Sequence, residues 1–150
     1  MCLTTYTWKV FAVAPAIATL PANRIFMTHT ILHIDDDPIA CELVRSILED
    51  AFEVRVVSRM NTSDALETLK QVAPDLIITD IAMPGHGGFE LVRALRDTPS
   101  TAAIPIIVLS GRIAMLGHYE QFQDMVDDIL EKPIHQAELR AKVRRTLKLH

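Results

Sequence analysis

The chain has 150 residues, enough for one hydrophobic core and too few for two. Hydrophobic residues make up 49% and charged residues 23%, a balance that excludes an intrinsically disordered chain. The formal net charge of −4 excludes the strong basic excess that is typical of a nucleic-acid-binding domain. The two cysteines, Cys2 and Cys41, have no partner motif, which argues against a disulfide framework or a zinc site and fits a reducing, cytoplasmic compartment.

Residues 1–27 differ in composition from the rest of the chain. They contain no acid, and prolines interrupt their apolar stretch. The stretch is too short and too broken to span a bilayer as a helix, so we expect no membrane association. A signal peptide with Lys9 as its charged region is the alternative. We expect a poorly ordered extension, or an upstream start ahead of the natural one at Met27, followed by a single domain over residues 28–150.

From residue 28 onward, short apolar runs alternate with segments of helical spacing. The predicted strands are 30–34, 53–57, 75–79, 104–109 and, more weakly, 127–130. A helix is predicted after Pro38, and a less regular one over about 113–125. The residues predicted on buried helix faces are Ile39, Leu43, Val44, Ile47 and Leu48 in the first helix, Leu66, Leu69 and Val72 in the second, Phe89, Leu91, Val92 and Leu95 in the third, and Leu139, Val143 and Leu147 in the last.

Five repeats of strand and helix predict an α/β fold with a parallel sheet that is covered on both faces. The near-continuous apolar character of the strands supports burial on both sides. Right-handed crossovers then place the carboxyl ends of all strands at one edge of the sheet, where ligands bind in such folds.

Polar residues follow the strands at this edge. Asp35 and Asp36 come after the first strand, Asp80 after the third, Ser110 after the fourth and Lys132 after the fifth. Clustered carboxylates favour a hard divalent cation such as Mg²⁺, and a lysine supplies a second positive charge. The set suits an incoming phosphoryl group, with Asp80 as the attacking carboxylate. For Asp80 alone, a metal ligand or a plain surface acid at a strand end are the alternatives.

The motifs "ILHIDDDP", "LIITDIAMPGHGGFEL", "IPIIVLSG" and "ILEKPI" resemble those of the receiver domain of bacterial two-component response regulators, including stand-alone members related to the chemotaxis regulator. They stand in the family's order and at its intervals. The resemblance covers residues 28–150 and implies a doubly wound, flavodoxin-like (βα)5 sandwich with strand order 2-1-3-4-5. It also implies that Asp80 accepts phosphate from a phosphohistidine on a sensor histidine kinase or a phosphotransfer protein.

The resemblance further implies a role for each residue of the site. Asp36 and Asp80 hold Mg²⁺ together with the backbone carbonyl of Ala82, and Asp35 completes the acidic pocket through water. Ser110 and Lys132 bind the phosphoryl oxygens, and the peptide bond before Pro133 is cis.

The chain departs from the family pattern near the site. Ala82 and Arg112 occupy the positions that tune loss of the phosphate, and they suggest slow self-hydrolysis. Ile129 replaces the aromatic switch residue that is usual in the family, which puts the usual signal path in doubt. Gly87 stands where the family commonly has an acid. The six histidines show no ligand spacing, and we expect them at ordinary surface or strand positions.

We therefore expect a single-domain phosphoacceptor, a monomer or weak dimer, that signals by docking to an effector protein and is not an enzyme in the ordinary sense. DNA recognition is not expected, because nothing follows the last helix to form a reading domain. Two alternatives stay open. One is an interaction module of the same fold that works without phosphate. The other is a phosphatase of the haloacid dehalogenase type, which would require an acid where Ala82 stands.

Overall fold

The computed structural model describes residues 29–84, 87–111 and 123–150. The strands are β1 (His29–Ile34), β2 (Val54–Arg59), β3 (Leu76–Asp80), β4 (Ile106–Ser110) and β5 (Asp128–Glu131). The helices are α1 (Pro38–Ala51), α2 (Thr62–Gln71), α3 (Gly88–Asp97) and α4 (Gln136–Leu147). None of the helices in these ranges is long and apolar enough to cross a membrane.

All five strands are parallel and form one sheet in the order β2-β1-β3-β4-β5. The predicted fold class and strand order are thus confirmed. β1 lies between β2 and β3, with Ile34 beside Arg59 on one side and beside Thr79 on the other. Consecutive strands therefore end at a common edge, as the sequence predicts.

Two hydrophobic clusters cover the two faces of the sheet. One joins Ile31 and Ile78 of the sheet to Val44 of α1 and Leu139 of α4. The other joins the opposite faces of the same strands to α2 and α3. Every residue of β3 and β4 is buried, which explains why their sequences are continuously apolar rather than alternating.

Short polar side chains fix where α1 and α2 begin. The side chain of Asp37 accepts a hydrogen bond from the Ile39 amide at 2.8 Å, and Pro38 occupies the first turn of α1. The side chain of Asn61 likewise accepts from the Asp64 amide at 2.8 Å at the start of α2. These N-caps satisfy backbone donors that have no partner within the helix, so both helices start where the sequence provides a cap.

The predicted buried face of α1 is partly wrong. Ile39 is 77% exposed and Leu43 is 44% exposed, while Ala40 and Cys41 are buried instead. In a helix of 3.6 residues per turn, Leu43 and Ile39 lie about 100° and about 140° around the axis from Val44, the centre of the buried stripe. The same correction applies to Leu66 of α2, which is exposed.

Three predictions concern residues outside the described ranges: the extension at residues 1–27, nearly all of the helix at about 113–125, and the role of Arg112. They remain predictions.

Candidate functional site

Three carboxylates meet at the carboxyl edge of the sheet. Asp35 and Asp36 directly follow β1, and Asp80 is the last residue of β3, which pairs with β1. One carboxylate oxygen of each lies within 4.8 Å of the other two. Asp35 and Asp80 are buried, whereas Asp36 is exposed. The edge therefore concentrates negative charge in a pocket that Asp36 borders on the solvent side.

The ammonium group of Lys132 bridges the two buried acids. Its Nζ donates hydrogen bonds to Asp35 Oδ2 at 2.8 Å and to Asp80 Oδ2 at 2.9 Å. Its backbone N–H donates to the Ser110 carbonyl at 2.9 Å, and the peptide bond from Lys132 to Pro133 is cis. Burial lowers the pKa of Lys132, but hydrogen bonds and charge from the two carboxylates outweigh that effect and leave the pKa raised. Lys132 is therefore a fixed cation at neutral pH.

Asp35 is held by a set of contacts within the chain. Its Oδ1 accepts a hydrogen bond from the Asp37 amide at 2.9 Å, and its own amide donates to the Arg59 carbonyl at 3.1 Å. The Cys41 thiol donates to the Asp35 carbonyl at 3.3 Å. With the Lys132 ammonium on its other carboxylate oxygen, Asp35 has little freedom to reorient. These contacts hold the Asp35 carboxylate in one orientation, so its negative charge has a fixed position in the pocket.

Both carboxylate oxygens of Asp80 already carry one hydrogen bond. Oδ1 accepts from the Ala82 amide at 2.9 Å, and Oδ2 accepts from Lys132. Since a carboxylate oxygen has two lone pairs, each oxygen keeps acceptor capacity for a metal ion or a phosphorus atom. Ala82 itself is exposed, and its methyl side chain offers no group that could orient a water molecule beside Asp80.

Gly88, the first residue of α3, packs directly against the backbone of Asp80. A Cβ atom at Gly88 would lie 2.2 Å from the Asp80 carbonyl oxygen and 2.7 Å from the Cα of Ile81. Close backbone contact between α3 and the end of β3 therefore requires a glycine at this position, and the sequence indicates it only by a glycine soon after Asp80.

The remaining predicted site residues lie on β4 and β5. Ser110 is buried at the end of β4, one residue beyond Leu109, which pairs with Asp80. It thus lies at the same edge of the sheet as the acids. Ile129 is half-buried in β5 and packs against the cluster beneath α2 and α3. The tuning position Arg112 falls outside the described residues.

A histidine lies beneath the pocket, in an environment that the sequence does not indicate. His33 of β1 is fully buried, two residues before Asp35. Burial lowers the pKa of its imidazole to about 4, against a smaller opposite effect of the Asp35 charge. His33 is thus neutral at physiological pH. His33 lies in a strand, as expected, but both of its ring nitrogens are shielded from solvent and lack a hydrogen-bond partner among the described residues.

The donor set of the pocket fits magnesium. Mg²⁺ prefers oxygen ligands and is usually held by one or two carboxylates together with water and phosphate oxygens. Asp35, Asp36 and Asp80 present such oxygens close together, and no other group of three possible ligands of this kind occurs in the described part of the chain. The fold therefore brings together the three acids that the sequence predicts for metal binding, Asp35, Asp36 and Asp80.

The fold and this site define the class of protein. The family description "Response regulator receiver domain" matches residues 31–144, and the chain belongs to this family. Members are signalling proteins of two-component systems rather than classical enzymes, and they bind Mg²⁺ at an acidic site.

Individual relatives agree with the family assignment. An uncharacterized 14.6 kDa protein encoded in the sodA1 3′ region of Leptolyngbya boryana is 34% identical over 109 residues, which cover 73% of this chain and 82% of that protein. Response regulator Rre1 of Synechocystis is 31% identical over 79% of this chain and 51% of its own length. The chain thus spans about half the length of Rre1.

A solved structure shows the same fold with a metal bound. The receiver domain of the sensor histidine kinase PA1611 from Pseudomonas aeruginosa has a TM-score of 0.71 and 25% sequence identity, over 81% of this chain and 98% of that one. Its crystal structure contains a magnesium ion coordinated in the active-site cleft.

Proposed function

We propose that Asp80 is the phosphoacceptor of this receiver domain and that the chain signals through the phosphorylated state. One observation carries the proposal: the Lys132 ammonium lies between two buried carboxylates, within hydrogen-bond distance of both. Burying charged groups is costly, and a buried ion pair rarely stabilises a protein more than apolar packing would. A cluster of Lys132, Asp35 and Asp80 at a pocket therefore favours a functional role over a purely structural one. A site that must receive a dianionic phosphoryl group does require a fixed cation beside its nucleophile.

In the proposed reaction, a carboxylate oxygen of Asp80 attacks the phosphorus of a phosphohistidine. A P–O bond forms to Asp80, the P–N bond breaks, and the donor imidazole keeps the electron pair and takes up a proton. Asp36, Asp80 and the Ala82 carbonyl would hold Mg²⁺, with Asp35 acting through water. The ion would supply positive charge to the phosphoryl oxygens.

The protein's own groups orient and balance the phosphoryl group. The Ala82 amide fixes one Asp80 oxygen, so that the carboxylate is oriented before the donor arrives. As the phosphoryl group binds, Lys132 can exchange its contact with Asp80 for one with a phosphoryl oxygen while it keeps Asp35. Ser110, at the same edge, can donate its hydroxyl proton to another of these oxygens.

The proposed partners follow from this chemistry. The donor is a sensor histidine kinase or a phosphotransfer protein, and the phosphorylated domain docks onto a downstream effector protein. We propose that the domain acts in the cytoplasm as a monomer or weak dimer, without binding DNA itself. The alternative phosphatase would need a general acid two residues after Asp80, and the side chain there is the methyl group of Ala82.

The test is phosphorylation by a small phosphodonor. Incubation with acetyl phosphate and Mg²⁺ should add the mass of one phosphoryl group, and the adduct should be absent in Asp80→Asn. Asp97→Asn, which changes an exposed acid at the end of α3, is the matched control and should label like the unchanged protein. Absence of labelling, or labelling that persists in Asp80→Asn, contradicts the proposal.

A further inference from the structure

Two polar side chains, the buried His33 and the half-buried Ser58, lie side by side beneath the acidic pocket, and their nitrogen and oxygen atoms have no hydrogen bond of ordinary length among the described residues. Both ring nitrogens of His33 are fully shielded from solvent and unpaired, and so is the hydroxyl oxygen of Ser58. His33 lies in β1 and Ser58 in β2, and the two residues are register partners across the parallel strands. Register partners point to the same face of a sheet, about 5 Å apart.

That face is the one covered by α1. Ile31 and Val56, the register pair two residues earlier, both belong to the core cluster under α1 and α4. Cys41 of α1 reaches down to the same place, where its thiol donates to the Asp35 carbonyl. Burial raises the pKa of this thiol and the charge of Asp35 adds to the effect, whereas hydrogen bonding with the Ser58 side chain lowers it. The polar groups therefore share one small space between β1, β2 and α1.

The Cys41 thiol is a weak partner for the Ser58 hydroxyl, and within the described residues no direct bond satisfies the His33 ring nitrogens. An imidazole always carries at least one N–H donor, and a hydroxyl is both donor and acceptor, so each needs a partner when it is shielded from solvent. Leaving such groups unpaired costs about as much as a broken hydrogen bond, and folded proteins rarely tolerate it. Within the described ranges, His33 and Cys41 do not belong to any group of three possible metal ligands.

We propose that the fold encloses a binding site for at least one internal water molecule, which bridges the His33 imidazole and the Ser58 hydroxyl. A water molecule both donates and accepts hydrogen bonds, and a buried one typically makes about three. At this position it would tie the edge strand β2 to β1 directly beneath Asp35. The site stands independently of the proposed phosphotransfer, since it depends only on the two strands and the helix that covers them.

The direct test is on the unchanged protein. A crystal structure at high resolution should show an ordered water within hydrogen-bond distance of an imidazole nitrogen of His33 and of Ser58 Oγ. In solution, the His33 ring protons should show nuclear Overhauser effects to a long-lived bound water. A His33 ring that bonds directly to Ser58 or to the backbone, with no water at either group, overturns the proposal.

Paired substitutions give a second test. Ser58→Ala and His33→Leu should each lower the melting temperature, because each leaves one partner of the water unpaired. The double variant removes both polar groups and should melt above the temperature expected from adding the two single effects. Ser63→Ala, at an exposed serine of α2, should leave the melting temperature unchanged. Strictly additive effects of the two substitutions contradict a shared water.

Discussion

Lys132 sets the charge balance of the acidic pocket. Three carboxylates within 4.8 Å repel one another, and the Lys132 ammonium offsets two of them directly. If Mg²⁺ binds as proposed, the same ammonium would compete with it for Asp80. The two proposed roles of Lys132, binding the phosphoryl group and weakening Mg²⁺ binding, should separate when its charge is removed.

Lys132→Met should therefore bind Mg²⁺ more tightly while it accepts phosphate more slowly. Removing one positive charge near the metal ligands should strengthen Mg²⁺ binding on the order of tenfold, by Coulomb's law at an intermediate dielectric. Loss of the cation that balances the phosphoryl oxygens should slow labelling by acetyl phosphate by a similar factor or more. Isothermal titration calorimetry measures the first effect, and the initial rate of labelling measures the second.

Lys70→Met is the control, since Lys70 is an exposed lysine of α2 paired only with Glu67 among the contacts of the described chain. It should change neither quantity. If Lys132→Met weakens Mg²⁺ binding or labels at the normal rate, the assigned role of Lys132 is wrong.

Among the elements, α3 is the one whose placement acts most directly on Asp80. Its first residue, Gly88, touches the peptide group of Asp80. A Cβ added at the preceding Gly87 would instead lie 2.9 Å from Oε2 at the flexible end of the Glu90 side chain. Gly111, after β4, has no atom of the described residues within 4 Å of the position of an added Cβ. Substitution of alanine at Gly88, Gly87 and Gly111 should therefore meet progressively less steric conflict.

Gly88→Ala should displace either α3 or the end of β3, because the added Cβ would lie 2.2 Å from the Asp80 carbonyl oxygen. We expect a loss of roughly 1–3 kcal/mol in the free energy of unfolding, the range for overpacked cores, together with slower labelling of Asp80. Urea unfolding and acetyl phosphate labelling measure the two effects. Gly87→Ala should be mild and Gly111→Ala close to neutral. Equal effects at all three positions would show that backbone contact at Gly88 does not position Asp80.

The contrast between β3 and α1 shows what the sequence alone can establish. An apolar run such as Leu76–Thr79 can be only a buried strand or a short buried helix, and strand–helix alternation decides between them. The site residues follow from the same logic, because they end the strands. The buried face of α1 does not follow from apolar residues alone, since Ile39 and Leu43 are apolar yet lie off the buried stripe.

Other features depend on distances between strands that no sequence pattern encodes. The meeting of His33 with Ser58 depends on the register between β1 and β2, and the contact of Gly88 depends on the path of α3. Both involve single residues without a periodic signal. Gly88 resembles any turn glycine in the sequence, and His33 resembles any strand histidine, until the neighbouring element is in place.

Across the whole molecule, the two edges of the sheet carry different groups. The carboxyl edge carries Asp35, Asp36, Asp80 and Lys132. At the amino edge, Arg96 of α3 links several segments through hydrogen bonds. Its guanidinium donates hydrogen bonds to the carbonyls of Ala102, Ile104 and Met125, at 2.9, 2.7 and 2.7 Å. It also contacts the Asp127 carboxylate at 3.1 Å. One side chain thus joins α3, the connection to β4 and the segment leading into β5.

Stability and site chemistry should therefore be separable by substitution at Arg96. Arg96→Met should lower the free energy of unfolding by roughly 2–4 kcal/mol, because it removes several hydrogen bonds and leaves partly buried carbonyls without their donor. At a temperature where the variant is folded, labelling of Asp80 by acetyl phosphate should stay within about twofold of the unchanged protein, since no contact of Arg96 reaches the carboxyl edge. Arg93→Met changes an exposed arginine one turn earlier in α3 and should be neutral in both measurements. If Arg96→Met abolished labelling while the protein remained folded, the amino edge would be coupled to Asp80, and the sheet could not be treated as a rigid support between two independent ends.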